Sequence, residues 1–209
     1  MAENLNMVVI LNNIRSSENV GSIFRTADAF GVKKIYLCGY TPTPLDRFNR
    51  KNTKLTKASL GAEEFVVWEK CENLEEVVIR LKDFSMEHGY ECLASLTEAS
   101  TRNFSAEKYP CIQNHVPEKN ITKNNLQDFL IVGVEQSKNS IDYREIKKSK
   151  LLASSSKLAL VFGNETEGLS PEDLKLCDIV AEIPMLGKKE SLNVAVSAGI
   201  VLSSLSSQP

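Results

Sequence analysis

Short apolar runs alternate with amphipathic stretches along most of the chain. Residues 7–11, 158–162 and 179–183 are rich in Val, Ile, Leu and Ala, and each run is followed by a polar loop. Runs of this length with few polar residues are typical of strands that are buried on both faces of a parallel sheet. The pattern therefore predicts an α/β fold with a mostly parallel sheet flanked by helices.

The N-terminal part predicts a βαβ unit. After the strand at 7–11, Ser17 and Glu18 begin a helix whose apolar positions recur at helical spacing, and Gly31 ends it. A second strand follows at 34–38. Two strands joined by a helix are expected to pair in parallel.

The middle of the chain predicts strands at 65–68, 90–96 and 129–134. The last two fit the same place in the sheet, and the pattern leaves both alternatives open. Residues 97–128 have no hydrophobic periodicity, and we expect an insertion or a flexible excursion there. The length is that of a single domain, residues 1–209.

The last predicted helix, residues 192–205, is apolar around almost its whole circumference. A helix of this kind must be covered on all sides. Ala195, Ala198 and Gly199 permit close approach, which favours a homodimer packed through this C-terminal helix. A helix that lies between other elements of the same chain is the alternative.

Composition narrows the possible functions. The net charge of −2 argues against bulk electrostatic binding of nucleic acid but allows a local basic patch. The 5 cysteines are odd in number and contain no C-x-x-C pair, which indicates reduced thiols in the cytoplasm and no bound metal. The 2 histidines are predicted to lie at the surface, which disfavours a mechanism that depends on histidine. No apolar run is long enough to cross a membrane.

A basic stretch interrupts the α/β pattern at residues 40–57. Two prolines near its start exclude regular structure there, and a single acid, Asp46, accompanies its basic residues. Such a run is usually a solvated loop. Because it is the only strongly basic stretch of the chain, an RNA-binding loop that contacts phosphates is the sharper alternative. Its basic residues are Arg47, Arg50, Lys51, Lys54 and Lys57.

Two strand-loop-helix units near the C-terminus predict a binding site. Gly163 and Gly168 bound a polar loop and leave backbone groups open to a ligand. Ser170 and Pro171 have the pattern of a helix start, and Ser191 is predicted to cap the last helix. Open α/β sheets bind ligands at the carboxyl ends of neighbouring strands, where these loops are expected to meet.

Three segments together resemble the SpoU or TrmH family of SPOUT-class RNA 2′-O-ribose methyltransferases. The first motif, residues 13–31, reads N-I-R-S-S-E-N-V-G-S-I-F-R-T-A-D-A-F-G. The second motif, residues 160–170, reads L-V-F-G-N-E-T-E-G-L-S, and the third, residues 183–194, reads I-P-M-L-G-K-K-E-S-L-N-V. The resemblance implies a SPOUT-type trefoil knot at about residues 157–205, S-adenosyl-L-methionine held by the knot loops, an RNA substrate and a homodimer.

The resemblance also implies catalytic residues. Arg25 matches the family arginine that acts on the ribose hydroxyl, and because arginine stays protonated, orienting that hydroxyl and its phosphate is a safer role than general base. Asn19, Glu165, Ser191 and Asn193 match the other catalytic positions. Plain structural alternatives remain: a surface helix residue for Arg25, helix caps for Asn19 and Ser191, and a solvated carboxylate for Glu165.

The cofactor-binding positions that the resemblance implies lie in the second and third motifs. Backbone groups are expected to hold the cofactor, and the larger side chains are expected to form apolar walls for its adenine. The positions are Gly163, Asn164, Gly168, Ile183, Pro184, Met185 and Leu192.

The motifs therefore predict methyl transfer from S-adenosylmethionine to a ribose 2′-OH of structured RNA, with tRNA favoured over rRNA. Two alternatives are a non-catalytic RNA-binding homologue and a nucleotide-binding α/β oxidoreductase. The presence of every catalytic motif residue argues against the first. The absence of G-x-G-x-x-G after the first strand argues against the second.

Overall fold

One parallel sheet organises the part of the chain that the structure describes. A computed structural model describes residues 5–82, 129–154 and 157–206. The strands in these ranges are β1 (Asn6–Asn12), β2 (Lys34–Cys38), β3 (Val67–Cys71), β4 (Leu130–Val134), β5 (Ile141–Asp142), β6 (Lys157–Phe162) and β7 (Ile179–Glu182). They pair in the order β3-β2-β1-β6-β4-β7-β5, and each of these pairings is parallel.

Helices connect the strands and cover the sheet. The helices of the described ranges are α1 (Ser17–Ala29), α2 (Thr53–Ser59), α3 (Leu74–Lys82), α4 (Lys150–Ser154), α5 (Pro171–Lys175) and α6 (Val194–Ser206). Two 3₁₀ turns lie at Ala62–Glu64 and Tyr143–Lys148. None of the helices in these ranges has the length and apolar character that crossing a membrane requires.

Side chains that alternate along β1 and β6 build two cores. On one face, Val9 and Leu160 pack in the cluster that contains buried residues of α1 and α6. On the other face, Ile10 and Val161 pack with residues of α3. Because both faces are covered, the central strands carry the near-continuous apolar runs seen in the sequence. The predicted α/β fold with a parallel sheet and flanking helices is confirmed.

The first βαβ unit forms as predicted. The Ser16 side chain caps α1 by accepting a hydrogen bond from the Asn19 backbone N–H. Gly31 follows the helix with a φ of 69°, a conformation that glycine adopts without strain. β2 then pairs in parallel with β1.

Two elements differ from the sequence prediction. The strand predicted at 65–68 instead spans 67–71, and Phe65 is 78% exposed. β3 is an edge strand of the sheet, and Glu69 of β3 forms an ion pair with Lys34 of the neighbouring β2 (2.6 Å). Because an edge strand can carry polar residues, it does not form the apolar run from which a strand is predicted. Helix α2 was not predicted within the basic stretch, where a capping asparagine and the buried Leu55 stabilise it.

The strand predicted at 129–134 is confirmed as β4. The alternative strand at 90–96 and the excursion at 97–128 lie outside the described residues. The trefoil knot at about residues 157–205 stays a prediction, as does the single domain.

Candidate functional site

The three motifs meet at the carboxyl edge of the sheet. The first motif follows β1, the second contains the end of β6, and the third follows β7. β6 pairs with both β1 and β4, and β7 pairs with β4. Because these strands are parallel, their carboxyl ends lie at the same edge, where α/β sheets bind ligands.

Glu165 joins the second motif to the first. Its Oε2 accepts a hydrogen bond from the Arg15 backbone N–H (2.9 Å), and its Oε1 accepts one from the Ser16 N–H (3.0 Å). The same Oε1 accepts a third from the Asn19 side-chain amide (3.0 Å). The carboxylate therefore fixes the loop that leads into α1. A freely solvated carboxylate, the plain alternative for this residue, does not describe these contacts.

These contacts also control the charge of Glu165. Partial burial works to raise the pKa of its carboxyl, but the hydrogen bonds from Arg15, Ser16 and Asn19 outweigh it and lower the pKa below the ordinary value. The carboxylate is therefore ionised at neutral pH. Its hydrogen bonds and low pKa suit it better to positioning than to taking a proton from a ribose hydroxyl.

Asn19 and Asn193 extend this network to the third motif. The Asn193 side-chain amide donates to the Asn19 side-chain oxygen (3.0 Å). The Asn193 side-chain oxygen accepts from the Ala195 backbone N–H (2.8 Å), so Asn193 occupies the N-cap position of α6. The prediction that Ser191 caps this helix was wrong, because α6 begins two residues later than expected. Ser191 instead lines the cleft described below.

The Asn164 side chain, in the second motif, joins neighbouring loops by hydrogen bonds. It is buried, and its side-chain amide donates to the Asn13 backbone oxygen (3.0 Å) and to the Tyr40 hydroxyl (2.7 Å). Its side-chain oxygen accepts from the backbone N–H groups of Thr166 and Glu167 (2.8 and 3.0 Å). Both ends of the amide are therefore occupied by protein groups. Sequence patterns gave no signal for Tyr40.

Gly163 and Gly168 are required by close approaches. A Cβ on Gly163 would lie 2.5 Å from the backbone carbon of Gly168. Gly168 has a φ of 69°, and a Cβ there would lie 2.1 Å from the Glu135 Oε2. The same Glu135 oxygen accepts the Leu169 N–H (3.0 Å). Sequence reasoning missed Glu135, although an acid directly after an apolar strand at the carboxyl edge of the sheet is a usable signal.

A cleft lies between the second and third motifs. Among the described residues its lining contains four carboxylates, of Glu135, Glu165, Glu167 and Glu182, and no Lys or Arg. The predicted site residues in its lining are Gly163, Asn164, Glu165, Gly168, Ile183, Met185, Ser191 and Leu192. Pro184 is not part of the lining. The cleft is thus acidic with apolar walls.

Gln136 holds the third motif against β4. Its side-chain amide donates to the backbone oxygen of Glu190, within the loop that leads to α6. Gln136 also lines the cleft. It therefore links the two sides of the cleft, a role that no sequence motif suggested.

Arg25 lies outside this cleft. It is exposed on α1 and, in the described ranges, forms neither an ion pair nor a hydrogen bond. Its neighbour Thr26 faces Gly199 of α6, since a Cβ on Gly199 would lie 3.9 Å from the Thr26 Cγ2. Arg25 is thus exposed on a helix that packs against α6, and it is not among the residues that line the cleft of its own chain.

The basic stretch is partly neutralised. It forms a hairpin closed by the bridge between Leu45 and Lys51, followed by α2. Arg47 and Lys57 make no ion pair with the described residues. The other three predicted RNA-binding residues pair with acids: Arg50 with Asp46 (2.7 Å), Lys51 with Glu64 (3.0 Å) and Lys54 with Glu18 (3.9 Å).

The parallel sheet, with its loops around a cleft at the carboxyl edge, is a fold that this chain shares with solved methyltransferase structures. Solved structures with this fold include the SpoU methyltransferase AviRb from Streptomyces viridochromogenes in complex with AdoMet, at 21% identity and a TM-score of 0.64, covering 99% of this chain and 58% of that chain. Another is the A. aeolicus TrmH/SpoU tRNA modifying enzyme, at 24% identity and a TM-score of 0.62, covering 97% of this chain and 74% of that chain.

The chain belongs to the SpoU rRNA Methylase family, whose model matches residues 6–108 and 94–203. It is 26% identical over 197 residues to the tRNA (guanosine(18)-2′-O)-methyltransferase of Aquifex aeolicus, covering 94% of this chain and 66% of that protein. It is 29% identical over 200 residues to a Staphylococcus haemolyticus protein that is named for the TrmH family of tRNA/rRNA methyltransferases, covering 96% of this chain and 58% of that protein. The family predicted from the three motifs is confirmed.

Proposed function

We propose that this protein transfers a methyl group from S-adenosyl-L-methionine to a ribose 2′-OH of structured RNA, with tRNA favoured over rRNA. The observation that carries the proposal is the acidic, apolar-walled cleft between the second and third family motifs, to which Glu165 joins the first motif. Family membership and the A. aeolicus relative, a tRNA 2′-O-methyltransferase by name, also support it.

The cleft fits the cofactor chemically. A sulfonium carries a positive charge, which carboxylates such as those of Glu135 and Glu182 attract. Ile183, Met185 and Leu192 offer apolar surface to an adenine ring. A dinucleotide with two phosphates would meet these same carboxylates without a Lys or Arg from the described lining. The cleft therefore disfavours the oxidoreductase alternative.

The cofactor, when bound, supplies an activated methyl group, and the chain must place the acceptor hydroxyl in line with it. Glu165 fixes the start of α1 through Asn19, and Asn193 ties the same point to α6. We assign to Arg25 the orientation of the acceptor hydroxyl and its neighbouring phosphate, because a guanidinium remains charged and binds phosphate bidentately.

A homodimer through the C-terminal helix belongs to this proposal. α6 leaves an apolar side chain uncovered, since Val196 is 51% exposed, and Leu192 in the loop before it is 39% exposed. Homodimer interfaces bury such surface. Arg25 is exposed on α1, the helix that packs against α6, and it does not line its own cleft. We therefore assign Arg25 to the cleft of the second subunit.

The test is methyl transfer to RNA. The protein is incubated with radiolabelled S-adenosylmethionine and total RNA from a strain that lacks its gene, and the RNA is hydrolysed with alkali. A 2′-O-methyl group blocks cleavage, so we expect label in alkali-resistant dinucleotides. Label in mononucleotides alone would mean base methylation, and no label with intact RNA binding would favour the non-catalytic homologue.

Calorimetric titration provides an independent readout of the cleft. We expect S-adenosylhomocysteine to bind and NAD to show no heat of binding. The reverse result would revive the oxidoreductase alternative.

A further inference from the structure

The hairpin of the basic stretch exposes a phenylalanine at its tip. Phe48 is 62% exposed and lies between Leu45 and Lys51, the two residues that form an isolated antiparallel bridge. The Asp46 N–H donates to the Arg50 backbone oxygen (3.0 Å), and Asn49 turns the chain with a φ of 59°. The tip is thus a closed turn that displays an aromatic ring within the basic stretch of residues 40–57.

Asp46 preorganises this turn. Its Oδ1 accepts the backbone N–H groups of Phe48 (2.8 Å) and Arg50 (3.0 Å), and its Oδ2 accepts from the Arg50 guanidinium (2.8 Å). The hydrogen bonds from Arg50 and then Phe48 lower the pKa of Asp46, so the carboxylate keeps its charge at neutral pH. The ring is therefore presented on an ordered backbone.

Two guanidinium groups lie against the ring. The guanidinium carbons of Arg47 and Arg50 are 4.8 and 5.0 Å from the centroid of the Phe48 ring. Phe65 is also exposed, and no such cation–π contact involves it among the described residues. Aromatic rings and guanidinium planes both stack on unpaired bases, and guanidinium groups also bind phosphates.

The hairpin is anchored to the helix that carries the proposed catalytic residues. The Asn52 side-chain amide donates to the Ser17 hydroxyl (3.1 Å) at the start of α1. Asn52 also caps α2, because its side-chain oxygen accepts the Leu55 N–H (3.3 Å). A nucleotide held at Phe48 would therefore have a fixed relation to Asn19 and the acceptor site.

We propose that Phe48 is a stacking platform for an unpaired base of the RNA substrate, with Arg47 and Arg50 at the flanking phosphates. The proposal rests on the proposed RNA function and adds to it a preference for substrates with an unstacked nucleotide. In an A-form duplex the bases stack on each other, so only a loop, bulge or single strand offers a free face. Stacking on one aromatic side chain is sequence-tolerant, so Phe48 selects RNA shape and not a particular base.

Binding of a labelled 12-nucleotide single-stranded RNA tests the proposal. We expect Phe48→Leu, which keeps an apolar side chain without a π face, to weaken binding about tenfold, whereas Phe48→Tyr stays within about twofold of the original. Heparin, a polyanion without bases, should bind both variants equally. Phe65→Leu is the matched control, with the same change at an exposed phenylalanine, and should leave RNA binding unchanged.

A fluorescent reporter adds a direct readout of stacking. In Phe48→Trp the new indole is exposed, while Trp68, the 1 native tryptophan, is buried and gives a constant background. We expect the RNA to quench the indole and heparin not to do so. Unchanged RNA affinity of Phe48→Leu, or an equal loss of heparin binding, would overturn the proposal.

The outcomes separate this proposal from the proposed function. Methyl transfer by the original protein, with an unchanged KM for RNA in Phe48→Leu, would reject the stacking role and keep the enzyme. Absence of methyl transfer together with Phe48-dependent RNA binding would keep the stacking role and reject the enzyme. Capture of lipid vesicles or protein by the hairpin without RNA binding would reject both the stacking role and the RNA function.

Discussion

Glu165→Gln tests the junction of the three motifs. The glutamine keeps the size of the side chain and one carbonyl oxygen, but it removes the charge. It also places an N–H donor opposite one of the three N–H groups that donate hydrogen bonds to Glu165. A hydrogen bond to a charged group contributes about 1.5–3 kcal/mol, compared with about 0.5–1.5 kcal/mol for a neutral pair. Because the site is only half-buried and solvent screens it, we expect a total loss of about 2 kcal/mol in the free energy of unfolding.

The pH dependence of this loss is the sharper measurement. The folded-state pKa of Glu165 lies below its ordinary value of 4.5. The contribution of the carboxylate is therefore fully present above the unfolded-state pKa and is lost as the pH falls through the folded-state pKa. We expect urea unfolding to show the full difference between the two proteins at pH 7 and a smaller difference as the pH approaches 3, about 1.5 units below the ordinary pKa of 4.5.

Glu167→Gln is the matched control. Glu167 lies in the same loop, is exposed, and its carboxylate accepts no hydrogen bond from the described residues. We expect its substitution to change stability by less than about 0.5 kcal/mol at every pH. A positioning role for the Glu165 carboxylate would be contradicted if Glu165→Gln were as stable as this control at pH 7, or if its loss of stability stayed constant or grew on acidification.

Three further predictions concern the cleft, the basic hairpin and the dimer. Gly168→Ala should weaken S-adenosylhomocysteine binding in calorimetry, because its Cβ would collide with the Glu135 carboxylate and its φ of 69° is strained for alanine; unchanged affinity would contradict the close approach. The Arg47→Ser, Lys57→Ser double variant should reduce the magnitude of the slope of log K for RNA against log salt by roughly 1.5. This reduction should exceed that caused by removing two basic residues that are paired with acids, since neither Arg47 nor Lys57 has an acid partner in the described ranges. A slope equal to that of the original protein would mean that this stretch is a solvated surface that does not contact RNA. Arg25→Ala should abolish methyl transfer and keep cofactor affinity within about threefold. If Arg25 acts in the second subunit, a mixed dimer of Arg25→Ala and Gly168→Ala has one intact site, and its activity should exceed the mean of the two homodimers. Absence of this gain in proven mixed dimers would place Arg25 in the site of its own chain.

Local sequence determined the central elements. β1 and β6 are continuous apolar runs, and such runs are buried whatever the details of their neighbours. The start of α5 was predicted because Ser170, Pro171 and Asp173 form a capping box with proline at the first turn, a device complete within a few residues. Motif spacing also identified most of the loop residues that surround the cleft.

Other features depended on contacts between distant parts of the chain. β3 is displaced from its predicted position because its polar residues are compensated across the sheet edge, as in the ion pair of Lys34 and Glu69. Ser191 and Asn193 are both residue types that favour the N-cap position. Asn193 caps α6, and it also forms a hydrogen bond with Asn19, which is 174 positions away. No local pattern contains that information.

The sequence by itself therefore determined the class of fold, the family and the loops that carry the chemistry, because apolar periodicity and capping act over a few residues. Only the tertiary structure decided that Glu165 is a positioning carboxylate with a lowered pKa, that Asn164 joins three loops by hydrogen bonds, and that Arg25 does not line the cleft of its own chain. These properties arise from hydrogen bonds and surfaces between segments that only folding brings together.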